Sequence, residues 1–291
     1  MKSPAVGVIG LGIMGSAMAS NLARAGFAVH GYDVLAARGR ALARAGVSAL
    51  RSAAAVAERA PVLITSLPNS EALLQISSAL KRRGAIVIET STLPIEDKLR
   101  ALKLLKKSGV TLLDCPLSGT GAQAKRKDLV VLASGDRKSY EKTLPVLQGF
   151  ARSQHYLGAF GNGSRMKFVA NLLVAIHNVS AAEAFVLGMK AGLDPETIYR
   201  VAADGAGSSR MLQVRGPQMV AGRYAEATMK VEVWQKDMKI ISEFAARHGA
   251  PTPLFNAAAA IYNAAMAQGF ARQDTASVCA VLERLAGLRR R

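Results

Sequence analysis

Short apolar runs alternate with amphipathic ones through the first half of the chain. AVGVIG reads as a strand, and SAMASNLARAG follows as a helix closed by Gly26. FAVHGYD is the next strand, and ALARAG and SAAAVAERA are helical, the second with Ser52 as its N-cap. VLITSLP is a strand stopped by Pro68, and SEALLQISSAL is a helix. AIVIETS is a strand, and PIEDKLRALKLLKKSG is a helix with Pro94 near its start and Gly109 after its end. VTLLDCP, LVVLASGD and SQHYLG supply further strands around the helix KSYEKTLPVLQGF.

Near-continuous Val/Ile/Leu strands separated by helices predict an α/β domain with a doubly wound, mostly parallel sheet covered on both faces. After Gly163 the pattern changes, and helices are expected over 164–191, 195–203, 231–248, 253–268 and 275–288. The expected organisation is therefore a nucleotide-binding domain over 1–163 and an all-helical domain over 164–291. Its active site is expected beyond the carboxyl ends of the strands, where the two domains face each other. A length of 291 residues fits about two domains.

Two stretches carry chemistry. The first is GLGIMG, Gly10 to Gly15, a G-x-G-x-x-G pattern that follows a strand and opens a helix, as in a Rossmann-type fold. Gly10 permits the tight turn, Gly12 lets backbone approach a pyrophosphate, and Gly15 allows helix to pack closely on strand. The helix N-terminus offers unpaired N–H groups to the anion. Asp33 ends the second strand, where a carboxylate accepts from both ribose hydroxyls and repels a 2′-phosphate, which favours NAD over NADP. Arg38 lies near enough to moderate that preference.

The second is MKFVANLLVAIHNVSAA, residues 166–182, where Lys167 is the only formally charged residue if His177 is neutral. The run reads as a long, largely buried helix, and a buried ammonium is costly unless paired or used. Lys167 and Asn171 are four apart and share a helix face.

Together these motifs resemble the short β-hydroxyacid dehydrogenases, a family that includes 3-hydroxyisobutyrate dehydrogenase and is related to the N-terminal part of 6-phosphogluconate dehydrogenase. Its GxGxMGxxMAxNL stands here as GLGIMGSAMASNL, its DxPxSG as DCPLSG (114–119), and its GxGxxxKxxxN ends at Lys167 and Asn171. The resemblance implies cofactor contacts at Gly10, Leu11, Gly12, Ile13, Met14, Gly15, Asp33, Leu67, Pro68, the Ser91-Thr92 pair and Lys236. It implies substrate contacts at Ser118, Gly119, Thr120, Asn171 and Asp237. Lys167 becomes the catalytic acid/base, with Asn171 orienting the substrate, and the partners become a small anionic hydroxy acid and further copies in a homodimer or homotetramer.

Elementary chemistry agrees with that assignment. Oxidising an alcohol requires a group to take the hydroxyl proton while hydride leaves for the nicotinamide. Lysine at its ordinary pKa of about 10.4 is a poor base at neutral pH. An apolar cleft lowers that value, and a carboxylate such as Asp237 raises it. In the reducing direction the ammonium is already the acid required.

The family's loop SGGxxGAxxGxL reads SGTGAQAKRKDL here, with Thr120, Gln123 and Lys127 in place of three glycines. Their loss predicts a reshaped loop. Polar groups on Thr120 and Gln123 favour a polar-substituted substrate over a bare three-carbon acid. Arg210, where relatives often carry an aromatic residue, suggests a larger or more anionic substrate, or simply an exposed arginine.

Composition adjusts the picture little. The two cysteines, Cys115 and Cys279, have no metal spacing and read as free thiols of a cytoplasmic protein. No run of about 18 uninterrupted apolar residues occurs, so no membrane span is expected. The net charge of +18 invites a nucleic-acid reading, but the basic residues are dispersed and not interleaved with aromatics. Two other readings are an imine reductase-like enzyme and a non-catalytic relative binding nucleic acid through its basic surface. Lys167 argues against the first, and Lys167, Asn171 and Ser118 together argue against the second.

Overall fold

The computed structural model of the protein describes residues 4–290. The chain forms two compact units that meet in sequence at Lys167 and Phe168.

In the first unit, β1 (Ala5–Ile9), β2 (Ala28–Tyr32), β3 (Val47–Ala49), β4 (Val62–Thr65), β5 (Ile86–Glu89) and β6 (Thr111–Asp114) form one sheet. Their order is β3-β2-β1-β4-β5-β6, and every pairing is parallel. Helices α1 (Ile13–Arg24), α2 (Ala36–Ala41), α3 (Ala53–Arg59), α4 (Ser70–Ala79) and α5 (Ile95–Lys107) connect them. Period-two alternation divides the strand residues between two cores. Val6, Val8, Ile88 and Leu113 pack with α1, whereas Ile9, Leu63, Val87 and Leu112 pack with α3, α4 and α5. Strand order reverses between β1 and β4, the switch point where such sheets bind ligands.

The strands after β6 differ from the single sheet expected. A separate three-stranded sheet holds β7 (Leu117–Ser118), β8 (Val130–Ala133) and β9 (Ser153–Tyr156), with β7 antiparallel to β8 and β8 parallel to β9. Helices α6 (Gly121–Lys125) and α7 (Arg137–Phe150) lie between these strands in the chain. Apolar periodicity identifies a strand but not the edge it pairs with. The very short elements β3, β7 and α6 left no periodic signal at all.

The next element, α8 (Asn162–Lys190), runs from the first unit into the second. The second unit continues with α9 (Pro195–Asp204), α10 (Arg210–Ala221), α11 (Val231–Arg247), α12 (Pro253–Ala267) and α13 (Val278–Leu285). Helix α10 was not expected because Gly216 and Pro217 interrupt its pattern. A Cβ at Gly216 would strike the Tyr199 ring, so the glycine serves packing against α9. Ser209 caps its start, and Gly222 ends it with a left-handed φ of 63°.

Candidate active site

Three glycines of the turn after β1 have different reasons to be glycine. Gly10 adopts φ +90°, and a Cβ there would meet the Ser66 carbonyl. At Gly15 a Cβ would strike the carbonyl of Gly10. Gly12 has an ordinary φ of −68°, and a Cβ on it would meet nothing within 4 Å. The protein's own packing therefore requires Gly10 and Gly15 but not Gly12. Gly12 is also the N-cap of α1, with no side-chain cap and no acidic residue in the first turn. A bare backbone opening onto a helix N-terminus is a cradle for a pyrophosphate, so the residues present fit a dinucleotide. Exposed Ile13, Val34 and Leu35 add apolar surface around it.

Asp33 follows β2 and closes this turn. Its Oδ2 accepts from Leu11 N at 2.7 Å, and its Oδ1 accepts from Leu35 N at 2.8 Å. Arg38 lies on the same carboxylate at 3.3 Å. Asp33 thus shapes the turn through two backbone N–H groups, and Arg38 brings a cation beside the same carboxylate.

The neighbouring loops are tied together by hydrogen bonds. Leu67 N donates to Ser91 Oγ at 2.8 Å, and Ser91 N donates to Glu89 Oε1 at 2.9 Å. Glu89 joins a fully buried ion cluster in which Lys98 Nζ lies 2.6 Å from Glu89 and 2.8 Å from Asp114. Burial opposes the Lys98 charge, but the two carboxylates outweigh it and hold its pKa above the ordinary lysine value. Thr92 follows Ser91, while Pro68 is exposed beside Leu67. None of the motifs singled out in the sequence contained Lys98 or Glu89. The available signal was Lys98 itself, which falls on the α5 stripe of Ile95, Ala101 and Leu105 where an apolar residue belongs.

Ser118 pairs with Val130 in the second sheet, and Gly119 follows with φ +136°, where a Cβ would lie 2.7 Å from Leu129. Thr120 has a structural role in this loop. It is the N-cap of α6, and Gln123 reaches back to Thr120 N at 3.0 Å to complete a capping box. Gln123 also donates to Asp128 at 3.1 Å. The groups that favoured a polar-substituted substrate are used inside the loop. Lys127 keeps a glycine-like φ of 61°, the one non-glycine residue with positive φ among the described residues. The loop has lost glycines without losing that conformation.

Lys167 is 8% exposed and Asn171 is 3% exposed, one turn apart on α8. Asn171 Nδ2 donates to Asp237 Oδ2 at 3.0 Å, and Asp237 pairs with half-exposed Lys236 at 3.7 Å. The predicted residues thus fall into two groups. Lys167 and the strand-end loops belong to the first unit, and Asn171, Lys236 and Asp237 to the second. Helix α8 itself is less buried than its composition suggested, since Met166, Val169, Leu173 and Leu187 are exposed. Arg210 is an exposed residue at the start of α10, 3.4 Å from Gln213. Both cysteines are buried; burial pushes the Cys115 thiol well above the ordinary range and Cys279 up to about 12.

The family model for the NAD-binding domain of 6-phosphogluconate dehydrogenase matches residues 5–158. A second, the NAD-binding domain of NADP-dependent 3-hydroxyisobutyrate dehydrogenase, matches residues 161–282. The chain belongs to the β-hydroxyacid dehydrogenase family. An L-threonate dehydrogenase of Cupriavidus necator is 32% identical to it, covering 94% of each chain. A 2-(hydroxymethyl)glutarate dehydrogenase of Eubacterium barkeri is 29% identical over 99% of this chain and 97% of its own. The crystal structure of 3-hydroxyisobutyrate dehydrogenase from Salmonella typhimurium has a TM-score of 0.86 at 27% identity, covering 96% of this chain and all of that one. The family uses NAD or NADP, so membership alone leaves the choice between them open. By length and composition α8 could cross a membrane, with a mean hydropathy of 1.6 in its most apolar window. Only 39% of that window is buried, and Ser164, Asn171 and Asn178 on its inner side are hydrogen-bonded within the protein.

Proposed function

We propose that the chain interconverts a small 3-hydroxy acid and its aldehyde or keto acid, with NAD as the preferred cofactor and Lys167 as general acid/base. The observation that carries this reading is a nearly buried ammonium one turn from a buried amide, on a helix whose first turn is anchored beside the strand ends. Gly10, Leu11, Gly12, Ile13, Met14 and Gly15 would hold the dinucleotide with Leu67, Pro68, Thr92 and Lys236, and Asp33 would meet the ribose. When bound, the nicotinamide supplies or accepts the hydride.

Ser118 and the backbone at Gly119 receive the substrate carboxylate, and Asn171, held by Asp237, orients the hydroxyl or carbonyl. Lys167 takes the hydroxyl proton on oxidation and returns it to the carbonyl oxygen on reduction. Thr120 shapes the loop through its capping box rather than touching the substrate. The relatives named for L-threonate and 2-(hydroxymethyl)glutarate make acids with additional polar groups the first to assay. Met166, Val169, Leu173 and Leu187 form one apolar stripe along α8 that suits burial against a second copy in a homodimer or homotetramer.

A panel of 3-hydroxy acids, assayed with NAD and NADP by nicotinamide absorbance, tests this. Lys167→Met is expected to lower kcat by about 10²–10⁴-fold with cofactor affinity nearly unchanged. A variant keeping more than about half of the wild-type turnover, against that scale, removes Lys167 from the chemistry. Higher kcat/KM with NADP than with NAD would overturn the ribose role of Asp33.

A further inference from the structure

Helix α8 begins against the end of β6, and its opening donors are all met by the protein. Asn162 N donates to Ala159 O at 3.1 Å, and Gly163 N donates to Ser134 Oγ at 2.9 Å. Ser164 N donates to Asp114 Oδ2 at 2.8 Å, and Ser164 Oγ donates to Asp114 Oδ1 at 2.8 Å. Ser134 Oγ also lies 3.2 Å from Asp114 Oδ2. The approach is close, because a Cβ at Gly163 would meet the carbonyls of Leu132 and Asp114.

Asp114 is fully buried, and its remaining charge partner is Lys98, itself shared with Glu89. Ser164 lies one turn before Lys167, so Ser164, Lys167 and Asn171 occupy one face of the helix. A carboxylate that binds both the backbone and the hydroxyl of Ser164 controls the rotation of the helix as well as its position. Whatever sets the azimuth of Ser164 sets the direction of the Lys167 side chain.

We infer that Asp114, paired with the Lys98 ammonium that Glu89 shares and acting through Ser164, is a positioning residue that sets where Lys167 presents its amine. The inference rests on the acid/base role of Lys167 proposed above. It gives the acid of the DCPLSG motif an inward task, separate from the substrate contact of Ser118. Glu89 also binds the backbone of Ser91, so the same cluster ties the Ser91-Thr92 loop to the helix that carries Lys167.

The test uses the full chain labelled with ¹³Cε-lysine, in which the Lys167 signal is identified by its loss in Lys167→Met. Asp114→Asn keeps the shape but cannot accept all of these bonds. Because that variant leaves a strained buried cluster, Ser164→Ala, which removes one hydroxyl, is measured beside it. Ser52→Ala, which uncaps α3, controls for a general loss of stability. The Lys167 signal is expected to move toward the bulk lysine position in Ser164→Ala and, if folded, in Asp114→Asn, but not in Ser52→Ala.

On any hydroxy acid that the wild type turns over, Ser164→Ala should lower kcat about tenfold with KM and cofactor Kd within about twofold, since misplacement by 1 Å costs up to about 10²-fold. A Lys167 signal unmoved in Ser164→Ala would make the cluster merely stabilising and end the proposal. So would a moved signal with unchanged kcat. If no hydroxy acid is turned over, the functional reading fails, while the spectroscopic measurement still decides the placement of Lys167.

Discussion

Two helices of this protein begin at the carboxyl ends of strands in the same sheet, and their N-termini are treated in opposite ways. At α1, following β1, no side chain caps the first turn, and Gly12 keeps the approach clear. At α8, the first turn is filled by Asp114 and Ser134 from within the fold. Both ends present orphan N–H groups and the positive end of a helix dipole. One remains available to an outside anion, and the other is satisfied by a buried carboxylate. The difference is one of availability: the open end leaves its donors to an outside group, and the closed end uses them to anchor the helix that carries Lys167.

The largest effect should come from disturbing the closed end. Lys98→Met would leave Glu89 and Asp114 buried without their cation, at a cost of about 3–5 kcal/mol in urea unfolding. Because Lys98 has its pKa raised in the folded state, its stabilisation is complete below the ordinary value of 10.5. It is lost as pH rises through the higher folded value, so wild-type stability should fall above pH 10.5 more steeply than that of Lys98→Met. Equal slopes would show that the cluster contributes nothing through its charge.

The open end should separate its glycines. Gly15→Ala forces a Cβ onto the Gly10 carbonyl and is expected to cost about 1–3 kcal/mol, with cofactor binding lost as well. Gly12→Ala meets no atom of the chain, so its stability loss should be limited to the poorer N-cap that alanine makes, about 0.5–1 kcal/mol, while cofactor Kd rises about tenfold, equivalent to about 1.4 kcal/mol. Calorimetry without cofactor and a fluorescence titration with it distinguish the two. A Tm loss for Gly12→Ala as large as that for Gly15→Ala would mean that its glycine serves the fold, and the contrast between the ends would weaken.

The smallest effect lies in the loop between β7 and β8. Lys127→Gly should stabilise by about 0.5–1 kcal/mol by relieving a left-handed backbone, offset in part by the greater freedom of glycine when unfolded. A Tm rise of about 1–3 °C is expected. An unchanged Tm would mean that the lysine side chain compensates through contacts of its own.

Apart from the short β3, the order of strands and helices through β6, the glycine turn, Asp33 and the Lys167–Asn171 spacing could all be read along the chain. Each depends on local periodicity or on contacts within one turn, and local physics leaves a mark on neighbouring residues. The second sheet, α10 and the use of Thr120 were decided elsewhere. Strands do not announce their partners, the glycine of α10 answers to a ring on another helix, and a capping box takes the same residues as a polar binding loop. Lys98 shows the boundary most clearly. The stripe of α5 marks it as a charge facing inward, but its carboxylates lie at the ends of β5 and β6. Only the folded sheet brings Glu89 and Asp114 to one ammonium and places Ser164 against them, because ion pairing acts through space and carries no period along the sequence.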